Sequence, residues 1–231
     1  MKFYRKIRKR LISDHKLNRY LIYALGEIVL VVIGILIALQ INNWNEQRKN
    51  QNKDKVLLSQ LLEENNANHF ELTEDANRDA LVLKMFAFSD FLKTGGIEHK
   101  STQLKSHLSI LLQATSYTFS ENYLYSYINS NLQGNPMLTR ELVELHSNQK
   151  DLAYISEKAF NNRLENFFQV LAKDVDFRTL EIHSYETLNS FEFRNKITLM
   201  SLIESEVGQQ FKKTMAQQTK VDSIITSLLM E

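Results

Sequence analysis

The chain has 231 residues, with 28 basic and 27 acidic side chains and no cysteine, which excludes disulfides, thiol nucleophiles and cysteine-ligated metal centres. The first 45 residues hold eight of the basic and two of the acidic side chains, which leaves 20 basic and 25 acidic side chains in residues 46–231. This mildly acidic remainder lacks the basic patch that nucleic-acid binding requires, and its length of about 186 residues is enough for one domain with a hydrophobic core.

An apolar run at residues 20–41, YLIYALGEIVLVVIGILIALQI, predicts a transmembrane helix. Its last 21 residues would cover roughly 30 Å as a helix, which matches the hydrocarbon core of a bilayer. The run ends without the small-residue cleavage site of a signal peptide, so we expect an uncleaved anchor. Tyr20, Tyr23 and Trp44 are predicted to lie at the two membrane interfaces, where amphipathic aromatic rings are favoured.

Residues 1–19 form a basic arm that contains eight lysines and arginines and one acidic residue, Asp14. Because segments rich in lysine and arginine stay in the cytoplasm, we expect a cytoplasmic arm and an exported C-terminal part. In a Gram-negative bacterium this arrangement predicts an inner-membrane protein with a periplasmic domain. We interpret the arm as a topology signal that also contacts anionic lipid.

After the span, the chain reads as helical almost throughout, because it has only six glycines and one proline. The polar residues 42–55 predict a helical stalk, since a flexible linker would be richer in glycine, serine or proline. Apolar periodicity predicts helices at residues 44–95, 102–114, 121–131, 136–173 and 191–229, with a less regular segment at residues 174–189. The first of these helices either continues through residues 65–73 or breaks there. We therefore predict an all-α fold in which residues 56–231 form an antiparallel helical bundle.

The span also carries a family resemblance. Its Gly26-Glu27-Ile28 segment, the aliphatic run around Gly34 and the sequence ALQINNWNE at residues 38–46 resemble the signature of a family of uncharacterised single-span membrane proteins of Bacteroidota. The resemblance covers about the first 48 residues. It implies an N-terminal anchor and a helical domain on the far side of the membrane, with no activity assigned to the family.

Glu27 is the one carboxylate inside the span, and a carboxylate within hydrocarbon needs a partner or a function. It could reach the cytoplasmic interface or pair with Arg19 or Tyr23. Alternatively, it belongs to a stripe of residues at alternating steps of three and four, which predicts contact with another helix. The stripe comprises Ala24, Glu27, Val31, Gly34, Ala38 and Ile41. A third interpretation is that Glu27 takes part in an ion-coupled process beside a multi-span partner, as the intramembrane acid of stator subunits does.

A dense group of aromatic residues suggests a patch that contacts a ligand or a partner, because tyrosine offers contact area and a hydrogen bond. The group comprises Tyr117, Phe119, Tyr123, Tyr125 and Tyr127. Packing of the same residues in the core is the alternative that we favour.

Catalytic and metal-binding motifs are not evident in the sequence. It contains no HExxH, GxSxG, P-loop or GxGxxG motif, and no two of its six histidines are spaced i, i+4. Two groups of titratable residues are interpreted as solvated helix or loop faces: Glu141, Glu144 and His146, and Asp174, Asp176, Glu181 and His183. We therefore predict neither an enzyme nor a metal or cofactor site.

The function predicted from the sequence is a single-pass inner-membrane protein that acts as a sensor, scaffold or assembly module through protein contacts. We expect its partners to be the lipid bilayer and either a second copy or another membrane protein, and not nucleic acid. The alternative is a subunit of an ion-coupled or transport complex that uses Glu27. A periplasmic hydrolase is the least favoured, because no converging acid, base and nucleophile are visible.

Overall fold

The computed structural model describes residues 17–73, 78–113, 116–129 and 135–230. Its helices are α1 (Leu17–Thr73), α2 (Arg78–Lys93), α3 (Ser101–Leu111), α4 (Asn122–Ile128), α5 (Pro136–Arg163), α6 (Gln169–Leu171), α7 (Glu186–Asn189) and α8 (Phe191–Met230). A 3-10 turn precedes α3 at Ile97–His99, and a π-helical turn joins α5 to α6 at Leu164–Phe168. The predicted all-α fold is therefore confirmed, with one minor exception described below.

The chain divides into a first unit that ends at Asp54 and a second unit that begins at Lys55. In the first unit, the large apolar side chains of α1 between Leu21 and Ile41 are exposed wherever the structure describes them. In the second unit, helices pack around a hydrophobic interior. The first long helix was predicted either to continue through residues 65–73 or to break there. In the structure α1 continues to Thr73, and α2 begins at Arg78. Residues 74–77 lie outside the described residues.

The second unit is an antiparallel bundle built on the 40-residue helix α8. Helix α5 runs antiparallel to α8, because its hydrogen-bonding residues Glu141 and Asn148 face progressively earlier positions, Gln217 and then Gln210. Helix α2 is also antiparallel to α8. Asp79 pairs with Lys212, and ten residues further along α2 the hydroxyl oxygen of Ser89 lies 2.7 Å from that of Thr198, at an earlier position of α8. The predicted antiparallel packing is thus confirmed.

The bundle holds two hydrophobic cores. The large core includes Phe88 of α2, Leu108 of α3, and Phe193 and Val207 of α8. The small core is formed by residues of α1, α4, α5 and α8, namely Leu58, Leu61, Leu124, Tyr127, Leu138, Leu142, Leu145, Val221 and Ile225. Between these two sets along α5 and α8 lie buried polar side chains, which we call the polar layer: Asn148, Gln149, Thr214, Gln217 and Gln218.

Local sequence explains where the helices begin and end. Gly95 and Gly96 follow α2 with φ of 66° and 61°, a left-handed conformation that glycine adopts without a Cβ clash. Pro136 occupies the first turn of α5, where a missing N–H costs nothing, and the Asn135 side chain accepts hydrogen bonds from the backbone N–H groups of Met137 and Leu138. These are the breakers that the sequence predicted.

The segment predicted to be less regular forms a two-stranded antiparallel hairpin. Val175 pairs with Ile182 and Asp176 with Glu181, and Leu180 in the turn has a positive φ of 53°. The Asp176 carboxylate accepts hydrogen bonds from backbone N–H groups in this turn and so closes it. The hairpin is the only strand structure in the described part of the chain.

Candidate functional site

One helix among the described residues is long and apolar enough to cross a membrane, within Ala24–His69, and its most apolar stretch is not buried inside the structure. Of the predicted stripe, Ala24 is half-buried, and the other five members, Glu27, Val31, Gly34, Ala38 and Ile41, are exposed. Trp44 is also exposed. The side chains of Tyr20 and Tyr23 lie outside the described residues, so their interfacial placement stays a prediction.

The five aromatic residues predicted as a contact patch divide between the interior and the surface. Tyr117 is buried in the large core, where its ring centroid lies 5.8 Å from that of Phe211. Tyr127 is buried in the small core, and Phe119 is half-buried against the large one. Tyr123 and Tyr125 are exposed. The core-packing alternative therefore describes Tyr117 and Tyr127, and only part of the group is available for contact.

A cleft of about 660 Å³ lies in the second unit, lined by residues 116–119, by Glu121 and by one side of α5. Its volume falls within the range of about 300–1,000 Å³ that is typical of small-molecule sites. Aromatic walls and a charged rim line it: Tyr117, Phe119 and Phe160, and Glu121, Lys150 and Glu157. Gln149, a fully buried member of the polar layer, also lines the cleft.

At the rim of this cleft, Glu121 begins a short hydrogen-bonded chain. Its Oε1 lies 2.9 Å from Nδ1 of His146, and Nε2 of the same imidazole lies 3.1 Å from the hydroxyl oxygen of Tyr125. The rings of Tyr125 and His146 also meet edge to face. A carboxylate that holds one imidazole nitrogen fixes the orientation of the ring. The chain thus orients the exposed Tyr125 hydroxyl.

The polar end of α1 fixes the loop that forms the other side of the cleft. The buried Glu64 carboxylate accepts hydrogen bonds from the backbone N–H groups of Tyr123 and Leu124, both at 3.0 Å. The Asn68 side chain bonds both backbone groups of Ser120, at 2.8 and 2.9 Å. These bonds pin residues 120–124 to the part of α1 that belongs to the second unit.

A buried ion pair crosses the large core. Arg163 at the end of α5 is fully buried, and its guanidinium contacts the Glu204 carboxylate of α8. The same guanidinium donates to the backbone carbonyls of Ile110, Leu111 and Gln113 at the end of α3. The Ile110 carbonyl also accepts a hydrogen bond from the backbone N–H of Gln113 at 3.1 Å, so Arg163 adds a charged donor to this helix end while it pairs with an acidic side chain.

The prediction that Glu141 and Asp174 lie on solvated faces is wrong, because both residues are buried. Glu141 accepts hydrogen bonds from Lys220 at 2.6 Å and from Gln217 and Arg140 at 2.9 Å. These bonds lower the pKa of Glu141 from its ordinary value of 4.5 to about 2. Helix α8 supplies Lys220 and Gln217 from more than seventy residues away, which the local pattern around Glu141 could not indicate.

Sequence reasoning also missed Glu64, Gln149, Arg163 and Glu204. A signal was present for Arg163, which lies four residues from the buried Ala159 and four from the buried Phe167, on the apolar face of its helix. A charged residue in such a stripe indicates a buried partner. In the described ranges, no group of three or more histidine, aspartate or glutamate residues is placed to hold a metal ion.

An all-α bundle joined to one helix that can span a membrane defines the class of this protein. The chain belongs to the family of unknown function DUF6090, whose model matches residues 27–205. The match runs from Glu27 in the apolar span into helix α8, so it includes residues of both units. No curated protein and no solved structure matches the chain.

Proposed function

We propose that the protein is a single-pass bacterial inner-membrane protein whose helical unit acts in the periplasm as a sensor, scaffold or assembly module. Residues 20–41 would cross the membrane, residues 1–19 would stay in the cytoplasm, and residues 42–55 would form the stalk. The host would be one of the Bacteroidota, as the N-terminal resemblance implies. The proposal includes no catalytic activity.

The observation that carries this proposal is the exposed apolar surface of α1. Its large side chains from Leu21 to Ile41 are about half to three-quarters exposed, whereas the second unit buries many of its large apolar side chains in two cores. Apolar surface of this extent has no stable place in water but is favourable in hydrocarbon. The eight basic residues before the span support the cytoplasmic location of the arm.

Self-association through the stripe is part of the proposal. An added Cβ at Gly34 would meet no atom within 4 Å, and the same holds at Gly26. A larger side chain at either position therefore fits the single protomer, and a steric effect would arise only against a second helix. Small residues in a membrane helix allow such close approach.

The test is cross-linking in native membranes followed by mass spectrometry, with the variants Gly34→Leu and Gly26→Leu. We expect a homo-oligomer that Gly34→Leu disrupts and that Gly26→Leu, an identical change off the stripe, leaves intact. Recovery of monomer alone in the unchanged protein would contradict self-association. Equal loss in both variants would contradict the stripe.

The second candidate is a subunit of an ion-coupled or transport complex, and it is favoured by one observation: the exposed Glu27 carboxylate within the apolar stretch. This candidate predicts that cross-linking recovers a multi-span partner. It also predicts that Glu27→Gln, which keeps the shape of the side chain, preserves assembly and abolishes any proton-coupled activity of the complex.

A further inference from the structure

Three tyrosine side chains in the described part of the second unit are exposed to solvent, and their hydroxyl groups have different surroundings. Tyr123, Tyr125 and Tyr154 have exposed fractions of 38%, 41% and 57%. Of the three, only Tyr125 has its hydroxyl within hydrogen-bonding distance of a histidine in the described ranges, at 3.1 Å from Nε2 of His146. All three rings can therefore be reached from solvent, and a neighbouring imidazole distinguishes Tyr125.

The Glu121 carboxylate determines which nitrogen of His146 carries the proton. Its Oε1 lies 2.9 Å from Nδ1 of the imidazole. Because an ionised carboxylate only accepts hydrogen bonds, Nδ1 is the nitrogen that donates. In the neutral imidazole, Nε2 then carries no proton and accepts the hydrogen bond of the Tyr125 hydroxyl. His146 is thus placed as a base toward the Tyr125 proton, and Glu121 orients that base.

The packing around this chain keeps the base in position and leaves the hydroxyl accessible. The rings of Tyr125 and His146 meet edge to face, with centroids 4.9 Å apart and planes at 68°. The side chains of His146 and Glu121 are only 18% and 21% exposed, so their hydrogen bond is partly shielded from water. A reachable hydroxyl, a base within hydrogen-bond reach and a third group that orients the base are the arrangement that activates a nucleophile.

We propose that Tyr125 is a nucleophilic tyrosine that accepts an acyl group from an activated ester, one whose alcohol is a good leaving group. The Tyr125 oxygen forms a bond to the carbonyl carbon of the ester, and the hydroxyl proton passes to Nε2 of His146. The bond between that carbon and the alcohol oxygen then breaks. The departing oxygen keeps the electron pair and takes the proton from His146, so the products are O-acyl-tyrosine and the free alcohol.

This modification site goes beyond the proposed membrane function. The acyl group remains on Tyr125, so the reaction modifies the chain once and is not a catalytic cycle. The site involves only residues of the second unit. Cross-linking through α1 and acylation of Tyr125 can therefore succeed or fail separately.

The test is acetylation of the full chain in lipid nanodiscs by p-nitrophenyl acetate at about pH 8, where histidine side chains are generally neutral. Tandem mass spectrometry measures the initial rate at each tyrosine, and release by neutral hydroxylamine distinguishes O-acetyl-tyrosine from N-acetyl-lysine. We expect Tyr125 to react about tenfold or more faster than Tyr123 and Tyr154, because general-base catalysis typically contributes at least that factor. The two exposed tyrosines without the base serve as controls within the same molecule.

The change His146→Gln removes the base and should lower the rate at Tyr125 to that of Tyr123. A purely structural role of His146 predicts the opposite, since a loosened Tyr125 would react at the same rate or faster. The matched control is His99→Gln, an identical change at an exposed position, which should leave the rate at Tyr125 unchanged. Glu121→Gln removes the charge that stabilises the imidazolium as it forms, so it should slow Tyr125 several-fold.

Circular dichroism of each variant reports whether it folds. If His146→Gln does not fold, the excess rate at Tyr125 in the unchanged protein and its reduction in Glu121→Gln decide the test. Equal or slower acetylation of Tyr125 relative to Tyr123 and Tyr154 in the unchanged protein would overturn the proposal. An excess rate that persists in a folded His146→Gln would overturn it as well.

Discussion

Leucines of the first unit such as Leu30 and Leu36 are exposed, whereas Leu142 and Leu145 on α5 of the second unit are completely buried. Both sets are helical and both are strongly apolar. The second unit also buries charged residues, among them Glu64 and Glu204, and it does so by pairing them with donors from distant elements.

The comparison shows that helical structure and apolar content alone do not determine whether a leucine is exposed or buried. In the first unit the apolar surface faces outward on all sides, which suits a lipid environment in which the helix satisfies its own backbone. In the second unit an apolar stripe faces other helices, and polar residues within that stripe need specific partners. Four predictions test this contrast, from the largest expected effect to the smallest.

The change Glu204→Leu should lower the free energy of unfolding of the second unit by roughly 3–5 kcal/mol. The leucine leaves the buried Arg163 guanidinium without its carboxylate, and an uncompensated buried charge is strongly destabilising. Urea unfolding of the full chain in detergent micelles, followed by circular dichroism, measures the loss. Glu204→Gln is the control, because it keeps an acceptor for Arg163 and should cost less. A loss below about 1 kcal/mol for Glu204→Leu would show that the pair contributes little.

The same type of substitution, leucine to alanine, is compared in the two units by the variants Leu142→Ala and Leu36→Ala. Leu142 fills the small core, so its loss should cost roughly 2–5 kcal/mol. Leu36 is exposed, so its loss should change the unfolding of the second unit by less than about 0.5 kcal/mol. The same urea titration measures both. Similar losses at the two positions would contradict the division into an outward-facing span and a packed bundle.

The Glu141 carboxylate should make the stability of the second unit depend on acid pH. Hydrogen bonds from Lys220, Gln217 and Arg140 lower its folded-state pKa to about 2, below the ordinary 4.5. Its stabilising contribution is therefore complete above pH 4.5 and is lost as the pH falls from about 4.5 to about 2. Unfolding titrations across this window should show a shallower decline in Glu141→Gln than in the unchanged protein. Parallel curves would show that other carboxylates cause the decline.

The smallest effect is expected from Asp79→Asn. Its ion pair with Lys212 measures 2.6 Å but is largely exposed on both sides, so its loss should cost at most about 1 kcal/mol. Because ions in solution screen exposed charges, this loss should shrink at about 1 M salt. A large loss that is insensitive to salt would mean that α2 depends on this contact for its position against α8.

Much of the fold was predictable because its signals are local. The helix starts and ends at Gly95, Gly96 and Pro136 follow from backbone preferences of single residues, and the bundle follows from apolar periodicity. The candidate site was less accessible. Tyr117 and Phe119 were singled out as aromatic residues, but nothing in their neighbourhood indicated that Gln149, some thirty residues later, would line the same cleft.

The sequence by itself determined the presence of one helix able to span a membrane, because length and apolar content are properties of consecutive residues. It also determined the helical class, because breakers are few and periodicity is strong. Only the tertiary structure decided which polar residues are buried and what satisfies them. Glu141 depends on Lys220, and Arg163 on Glu204, across distances along the chain that no periodic pattern spans. Burial of a polar group is favourable only with its partner in place, and the packing of α5 against α8 brings these partners together.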